Sequence, residues 1–212
     1  MGLFDFLKEE NINDKFIITI NREYGSGGSE IARIASEKLS IPLYDEKIVE
    51  LKAMESGFSE ELLKGETLMP MDTVYDLYRE NDSYSSEDML SNDAAFLSQS
   101  RAIRHLAEEG SCIFLEKCAG YVLRDYKNVL KIFIHAPYDY RKKRAVEVYK
   151  DKETVVDSRI KKYDTRRKNF FNKNTKLSWE NAMEYDFSIN ASMFSQEEIA
   201  EIIADIARIK YR

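Results

Sequence analysis

The sequence contains little cysteine. It holds two among 212 residues, Cys112 and Cys118, which form no CxxC pair and join no histidine at the spacing of metal ligands. A disulfide framework and a structural zinc site are therefore not predicted. Isolated cysteines are typical of proteins in the reducing cytosol, so we expect reduced thiols and a cytoplasmic location.

Long apolar runs are also missing. No stretch of eighteen apolar residues occurs, so no transmembrane helix is predicted. The opening "MGLFDFLKEENINDK" lacks the basic region and apolar core of a signal peptide, and Phe6 stands where a myristoylation signal has serine or threonine. The net charge of −6 does not favour non-specific binding to nucleic acid. We therefore expect no membrane partner and no nucleic-acid partner.

What the sequence does contain is a regular alternation of short apolar runs and helical patterns. The apolar runs predict five strands, at residues 16–20, 41–45, 112–115, 129–137 and 185–192. Such alternation is typical of the α/β class, with a five-stranded parallel sheet as the middle of three layers and helices on both of its faces. Ligands of such sheets bind beyond the carboxyl ends of the strands.

Two helix boundaries are marked by local chemistry. Gly110 ends the amphipathic pattern of residues 93–110, as glycine commonly does at a helix C-terminus. Ser195 is followed three residues later by Glu198, which is the pattern of a capping box. We therefore expect the C-terminal helix to begin at Ser195.

Two segments depart from the alternation. Residues 56–92 are acidic and poor in apolar runs, which indicates an insertion outside the core. Residues 159–176 carry eight basic residues and one acidic residue within an acidic protein. A solvated helix face is the ordinary explanation of such a run, and a cationic cover over a phosphate site is the alternative.

A glycine-rich turn, "NREYGSGGSE", joins the first strand to the next helix. The backbone N–H groups of such a turn form a concave site for phosphate. Aligned with the strict pattern GxxxxGK[ST], Arg22 takes the place of the first glycine and Gly28 that of the lysine, whereas Gly27 and Ser29 match. The residues of the candidate loop are Tyr24, Gly25, Ser26, Gly27, Gly28, Ser29 and Glu30.

Two other interpretations of this turn stay open. A dinucleotide fingerprint, GxGxxG with a later acid, is matched by Gly25, Gly27 and Asp45, but its third glycine position holds Glu30. A turn without any ligand is the other alternative.

A phosphate loop without lysine needs a cation from elsewhere. Arg22 is the first candidate, because a guanidinium contacts phosphate through two N–H groups. Arg141 and Arg144, just beyond the fourth strand, are further candidates, and pairing with carboxylates is the alternative for all three. Ser29 is a candidate Mg²⁺ ligand. Asp45 is a candidate contact of the acceptor or its metal, with helix capping as the alternative.

Four longer stretches carry a further pattern: "ITINREYGSGGSEIARIASEKLSIPLYDEKIV", "GSCIFLEKCAGYVLRD", "NVLKIFIHAPYDYRKKR" and "YDTRRKNFFNKNTKLSWENAMEYDFSINAS". In order and spacing they resemble the cytidylate kinase-like proteins, which belong to the nucleoside monophosphate kinase branch of P-loop kinases. The resemblance covers residues 15–208, and the turn "REYGSGG" is typical of this family in place of the ordinary lysine loop.

The resemblance implies one P-loop kinase-like domain over residues 1–212, with an acceptor-binding region at 56–92 and a helical, basic lid at 151–176. It implies transfer of the γ-phosphoryl of ATP, with Mg²⁺, to a nucleoside monophosphate such as CMP or to another small acceptor. Asp164 and Lys117 are then expected to bind substrate. The arginines expected to act in catalysis are Arg22, Arg141, Arg144 and Arg167.

The chain also departs from that family. Glu116 and Lys117 stand where the family has Gly-Arg, Thr165 replaces a lysine of the lid, and Phe170-Phe171 replaces two tyrosines. The missing loop lysine and the Glu116 carboxylate favour an alternative function, nucleotide binding without catalysis, whereas the retained lid arginines favour a kinase. Nucleotides are the expected partners in both cases, and a homodimer through the C-terminal helices stays open.

Overall fold

The computed structural model describes residues 15–55 and 86–211. The N-terminal stretch 1–14 and residues 56–85 of the acidic segment lie outside the described residues, so what the sequence predicts for them stays a prediction. The chain divides into two compact units, one within residues 1–45 and 110–212 and one within residues 46–109. The expectation of a single domain likewise stays a prediction.

The first unit is built on a five-stranded sheet. Its strands are β1 (Ile17–Arg22), β2 (Leu43–Tyr44), β3 (Cys112–Leu115), β4 (Val129–His135) and β5 (Phe187–Asn190). They pair in parallel in the order β2-β3-β1-β4-β5, which confirms the predicted five-stranded parallel sheet. β1 extends past its predicted end because Asn21 and Arg22 pair with Phe133 and Ile134 of β4.

The helices alternate with the strands as predicted. In the first unit they are α1 (Gly28–Leu39), α4 (Ala119–Val122), α5 (Tyr138–Glu147), α6 (Glu153–Thr175) and α7 (Gln196–Lys210). The second unit contains α2 (Glu46–Glu55) and α3 (Ser86–Glu109), which pack against each other. A 3₁₀ turn, Ala182–Glu184, precedes β5. No helix of the described ranges is long and apolar enough to cross a bilayer.

Both predicted helix boundaries are confirmed. α3 ends immediately before Gly110. The Ser195 side chain accepts a hydrogen bond from the Glu198 amide, and the Glu198 side chain accepts one from the Ser195 amide, so the capping box is complete. Residues 86–92, which the sequence assigned to the acidic insertion, form the start of α3.

The main core lies on the sheet face covered by α1 and α7. Ile18 of the central strand β1 and Ile132 of its neighbour β4 are fully buried there, together with Ile31 of α1 and Ile199 of α7. Each such side chain contributes about 1.5–3 kcal/mol when it is removed from water. This layer fixes β1 and α1, and therefore the turn between them.

The opposite face carries an aromatic cluster. The Phe133 ring lies 5.1 Å from the Trp179 ring and 4.9 Å from the Tyr185 ring, measured between centroids. Trp179 is 2% exposed, and its carbonyl accepts a hydrogen bond from the Tyr185 hydroxyl at 2.8 Å. Trp179 and Tyr185 therefore pack against the sheet through Phe133.

Candidate active site

The glycine-rich turn lies at the carboxyl end of β1 and leads directly into α1. Gly25 and Gly27 have φ angles of 81° and 86°, in the left-handed region that favours glycine. Space is also tight, because a Cβ on Gly25 would lie 2.5 Å from the Arg141 carbonyl oxygen. One on Gly27 would lie 2.8 Å from the Gln196 side chain. Both the backbone conformation and the close approach thus require glycine.

The backbone amides of the loop differ in whether they have a hydrogen-bond partner. Within the described residues, the amides of Gly25, Gly27 and Ser29 have no hydrogen-bond partner. The Gly28 amide donates to Ser26 Oγ at 3.3 Å, and the Tyr24 amide donates to Asp164 Oδ1 at 2.7 Å. Unpartnered amides at the start of a helix form an anion site of the kind that holds phosphate.

Arg22 covers the position at which the strict pattern has a lysine. A Cβ on Gly28 would lie 2.7 Å from Arg22 Cβ and 2.9 Å from Arg22 Cδ. The Arg22 side chain therefore fills the space that any side chain at position 28 would enter. Its Nε donates to Ser29 Oγ at 2.9 Å, so the guanidinium is held against the first turn of α1.

Three further arginines pair with carboxylates near the loop, which is the alternative that the sequence left open for Arg141 and Arg144, and their roles in catalysis stay predictions. Arg141 and Arg144 of α5 are each 8% exposed. Arg141 lies 2.6 Å from Asp164 and 3.2 Å from Glu23, while Arg144 lies 3.6 Å from Glu30. Burial raises the pKa of Glu23 despite hydrogen bonding to the Ala136 amide and attraction to Arg141.

The third of these arginines, Arg167 of α6, shares one carboxylate with Arg22. Glu116 Oε1 lies 2.7 Å from Arg22 Nη1 and 2.5 Å from Arg167 Nε. These contacts are close but poorly aligned, because neither Glu116 Oε1 nor the Nη1 atoms of the two arginines make a hydrogen bond in the described part of the chain. Burial lowers the pKa of Arg167. The cluster thus retains buried donors that a further acceptor could satisfy.

Helix α6, the predicted lid, contacts the loop directly. Asp164 accepts the Tyr24 amide and pairs with Arg141, so one carboxylate joins three elements. The Tyr24 ring stacks on the Tyr163 ring with centroids 4.8 Å apart. The Tyr24 hydroxyl donates to Asp151, and burial together with this hydrogen bond raises the pKa of Tyr24 to about 12. The lid is therefore anchored at the loop.

Two of the three predicted substrate residues are Lys117 and Asp45. The Lys117 ammonium lies 4.9 Å from the centre of the Phe170 ring, and Lys117 is 9% exposed. Asp45 follows β2, which is two strands from β1 in the sheet order, and is half-buried. Their roles in substrate binding stay predictions. Asp164, the third residue of that set, bonds to the loop and Arg141 as described.

The chain takes an unusual path after β3. Glu116, Lys117 and Cys118 have φ angles of 70°, 55° and 58°, so three successive residues with side chains adopt the left-handed region. Non-glycine residues rarely adopt it, and runs of them cluster at functional sites. The path begins where the Glu116 amide donates to the Ile20 carbonyl of β1 at 2.9 Å, and it brings the Glu116 carboxylate to Arg22.

Two residues of the site were not assigned roles from the sequence. Glu23 follows the strand and pairs with Arg141. Gln196 begins α7 and, with its amide oxygen towards Arg144, accepts a hydrogen bond from Nε at 2.9 Å. The sequence signal for Glu23 is its position directly after Arg22, in "RE". No sequence signal pointed to Gln196, because its contact with Arg144 depends on the packing of α7.

The residues present fit a nucleoside triphosphate better than a resident metal. Unpartnered loop amides and incompletely bonded guanidinium groups match phosphate oxygens. In the described ranges, no group of three or more His, Cys, Asp or Glu residues could hold a metal ion. Mg²⁺ needs few protein ligands when phosphates supply oxygens, and the Ser29 hydroxyl, whose Oγ accepts a hydrogen bond from Arg22 Nε, is the candidate ligand.

Comparison with known proteins agrees with this geometry. The model of the cytidylate kinase-like family matches residues 17–193. An uncharacterized protein from Eubacterium ventriosum is 24% identical, with a TM-score of 0.69 over 93% of this chain and 100% of its own. Shikimate kinase from Acinetobacter baumannii, in complex with shikimate, is 9% identical, with a TM-score of 0.50 over 94% of this chain and 96% of its own. No curated protein matches. The fold is that of P-loop kinases.

Proposed function

The chain belongs to the cytidylate kinase-like family, and on that premise we propose that it is an ATP-dependent phosphotransferase. Membership supports a kinase in general. The proposed acceptor is a nucleoside monophosphate resembling CMP, or another small molecule with a hydroxyl or phosphate group. Nucleotides would be its small-molecule partners, and its proposed location is the cytoplasm.

The observation that carries the proposal is the position of Arg22 over Gly28. A phosphate loop holds the terminal phosphates of ATP with backbone amides and one cation. Here the cation comes from the end of β1, and the space of the usual lysine side chain is filled by the Arg22 stem. The absence of a lysine therefore does not leave the loop without positive charge.

The roles of the chain's own groups follow from phosphoryl transfer, which requires positioning and charge stabilisation rather than a strong base. The amides of Gly25, Gly27 and Ser29 would orient phosphate oxygens. Arg22 would hold a terminal phosphate. The Ser29 hydroxyl would hold the Mg²⁺ that accompanies ATP, and that ion would supply positive charge to the phosphates.

The arginines of α5 and α6 would neutralise the charge that develops on the transferred group. Arg141, Arg144 and Arg167 come from two helices that meet at the loop. Asp164 would position Arg141 and keep the lid against Tyr24, which excludes water from the reacting group. The interaction of a hydrogen-bond donor with this developing charge is stronger in a buried environment than in water.

A second candidate function is nucleotide binding without catalysis. It is favoured by the pairing of each arginine with at least one carboxylate, and above all by Glu116, which contacts both Arg22 and Arg167. A site whose cations are internally neutralised stabilises a transition state less than one whose cations face the substrate. The two functions differ in turnover, not in ATP binding.

The proposal is tested by calorimetry with ATP and Mg²⁺, followed in the same sample by ADP release with a panel of nucleoside monophosphates. We expect ATP to bind and CMP or a related monophosphate to stimulate ADP release. Binding without stimulated release for any acceptor would select the non-catalytic function. Tight binding of a dinucleotide in place of ATP would revive the fingerprint interpretation of the turn.

A further inference from the structure

Glu116 bridges two arginines that come from different parts of the fold. Arg22 ends β1, and Arg167 lies in the second half of α6. The Glu116 carboxylate touches both through one oxygen, at 2.7 Å and 2.5 Å, and its side chain is 14% exposed. One acid thus neutralises the loop cation and a lid cation together.

The carboxylate is an imperfect partner for these arginines. The Nη1 atoms of Arg22 and Arg167 are buried and make no hydrogen bond within the described residues, and neither does Glu116 Oε1. A guanidinium binds best when two parallel N–H groups meet two acceptor oxygens. A phosphate group offers three oxygens in a tetrahedral arrangement, so it could satisfy both arginines where one carboxylate oxygen does not.

The backbone conformation of Glu116 is energetically unfavourable for a residue with a side chain. Its φ of 70° is one that glycine adopts readily and glutamate rarely does. Lys117 and Cys118 continue in the same left-handed region, so strain is concentrated at the point where the carboxylate reaches Arg22. A segment held in this way can be released by a better ligand for the arginines.

We propose that the Glu116 carboxylate competes with a phosphate group for Arg22 and Arg167, and that it must leave them before the terminal phosphate of a polyphosphate binds there. This inference rests on the proposed function for the identity of the physiological ligand. The competitor is part of the chain, so its effective concentration is high and independent of dilution. Polyphosphates, with several charges and oxygens, displace it; small monovalent anions do not.

Tripolyphosphate is the probe, because it has the phosphates of ATP without base or ribose and does not require turnover. Calorimetry without metal compares the wild type with Glu116→Gln, which removes the charge, and Glu116→Gly, which also suits the backbone. The matched control is Glu180→Gln, which removes the same charge from an exposed acid paired with Lys168 of α6. Circular dichroism shows which variants are folded.

We expect both Glu116 variants to bind tripolyphosphate at least about tenfold more tightly than the wild type, since an ion pair of this kind is equivalent to roughly that factor in an equilibrium constant. The control should stay within about twofold, as an exposed pair contributes little. Unchanged or weaker binding by a folded Glu116 variant would overturn the inference. An equal gain in Glu180→Gln would also overturn it, because bulk charge alone would then explain the result.

The proposed function is judged separately. Tighter tripolyphosphate binding by Glu116→Gln, with no ADP release under any acceptor, would support the competition and contradict the kinase. Stimulated ADP release by the wild type, with no gain in tripolyphosphate binding by either variant, would support the kinase and overturn the competition.

Discussion

The Arg22 side chain packs against Gly28, in the space that a side chain at position 28 would need. A methyl group at position 28 would lie 2.7 Å from Arg22 Cβ, closer than real Cβ contacts allow. We expect Gly28→Ala to lower the free energy of unfolding by about 1–3 kcal/mol, as overpacking does. Urea unfolding of the wild type and of the variant measures this difference in the free energy of unfolding.

The matched control for this change is Gly110→Ala, because a Cβ on Gly110 would meet nothing within 4 Å. The cost of Gly28→Ala should be smaller in an Arg22→Gly background than in the wild type, because the Arg22 Cβ that the new methyl group would meet is then absent. An undiminished cost in that background would show that Arg22 does not occupy this space.

The cysteines give a prediction on pH. Burial raises the pKa of Cys118 to about 12, and Cys112 is 1% exposed. The reactive thiolate is therefore scarce at pH 8, and we expect alkylation in the folded protein to be far slower than in denaturant. Mass spectrometry of iodoacetamide-treated samples counts the labelled thiols. Rapid labelling of Cys118 at pH 8 in the folded protein would contradict the buried position.

At the residue scale, the sequence predicted which arginines would gather but not what each would touch. Arg22, Arg141 and Arg144 were identified from charge and their places after strands, and Arg167 from the lid that the family resemblance implies. The partner of Arg22 is Glu116, which lies on another strand and reaches it through left-handed backbone. Side-chain direction and unusual φ angles depend on tertiary packing, and a single sequence does not encode them locally.

Among the elements, α7 has the most completely specified start. The Ser195 hydroxyl accepts the Glu198 amide at 3.2 Å, and Glu198 Oε2 accepts the Ser195 amide at 2.8 Å. We expect Ser195→Ala to lower the free energy of unfolding by about 1 kcal/mol, because an N-cap acceptor is lost. Ser188→Ala, an exposed position of β5, is the control. Equal stability of the two variants would show that the cap contributes nothing.

The anchoring of α6 depends on Asp164. Asp164→Ala leaves the buried Arg141 with Glu23 as its remaining carboxylate partner among the described residues, and it leaves the Tyr24 amide without its acceptor. We expect a loss of about 1–3 kcal/mol in the free energy of unfolding, as for other buried groups that lose a partner. Asp157→Ala, on the same helix but exposed and paired with Lys142, should cost less. The opposite ranking in urea unfolding would contradict the anchoring.

Element types and several boundaries followed from the sequence because they have local causes. Apolar runs marked all five strands, and the capping box marked α7. The order β2-β3-β1-β4-β5 was not predicted from the pattern, since strand order depends on which elements pack together. The extension of β1 to Arg22 has the same origin, because its last residues pair with β4.

For the whole molecule, the sheet explains how an acidic protein gathers several arginines at one site. The chain has a net charge of −6, yet four arginines converge on one loop because β1, α5 and α6 meet at the carboxyl end of the sheet. Four carboxylates balance them, those of Glu23, Glu30, Glu116 and Asp164. The resemblance of the sequence to a kinase family predicted the loop and the lid, and it did not predict this balance.

The central claim is that Arg22 replaces the lysine of the phosphate loop in a working kinase. The most direct test is ADP release from ATP and Mg²⁺ with the best nucleoside monophosphate, compared between the wild type and Arg22→Ala. The control is Arg33→Ala, an exposed arginine of α1 paired with Glu37. We predict a fall in kcat/KM of about 100-fold or more for Arg22→Ala and a change within about twofold for the control. Full activity of a folded Arg22→Ala variant would contradict the account.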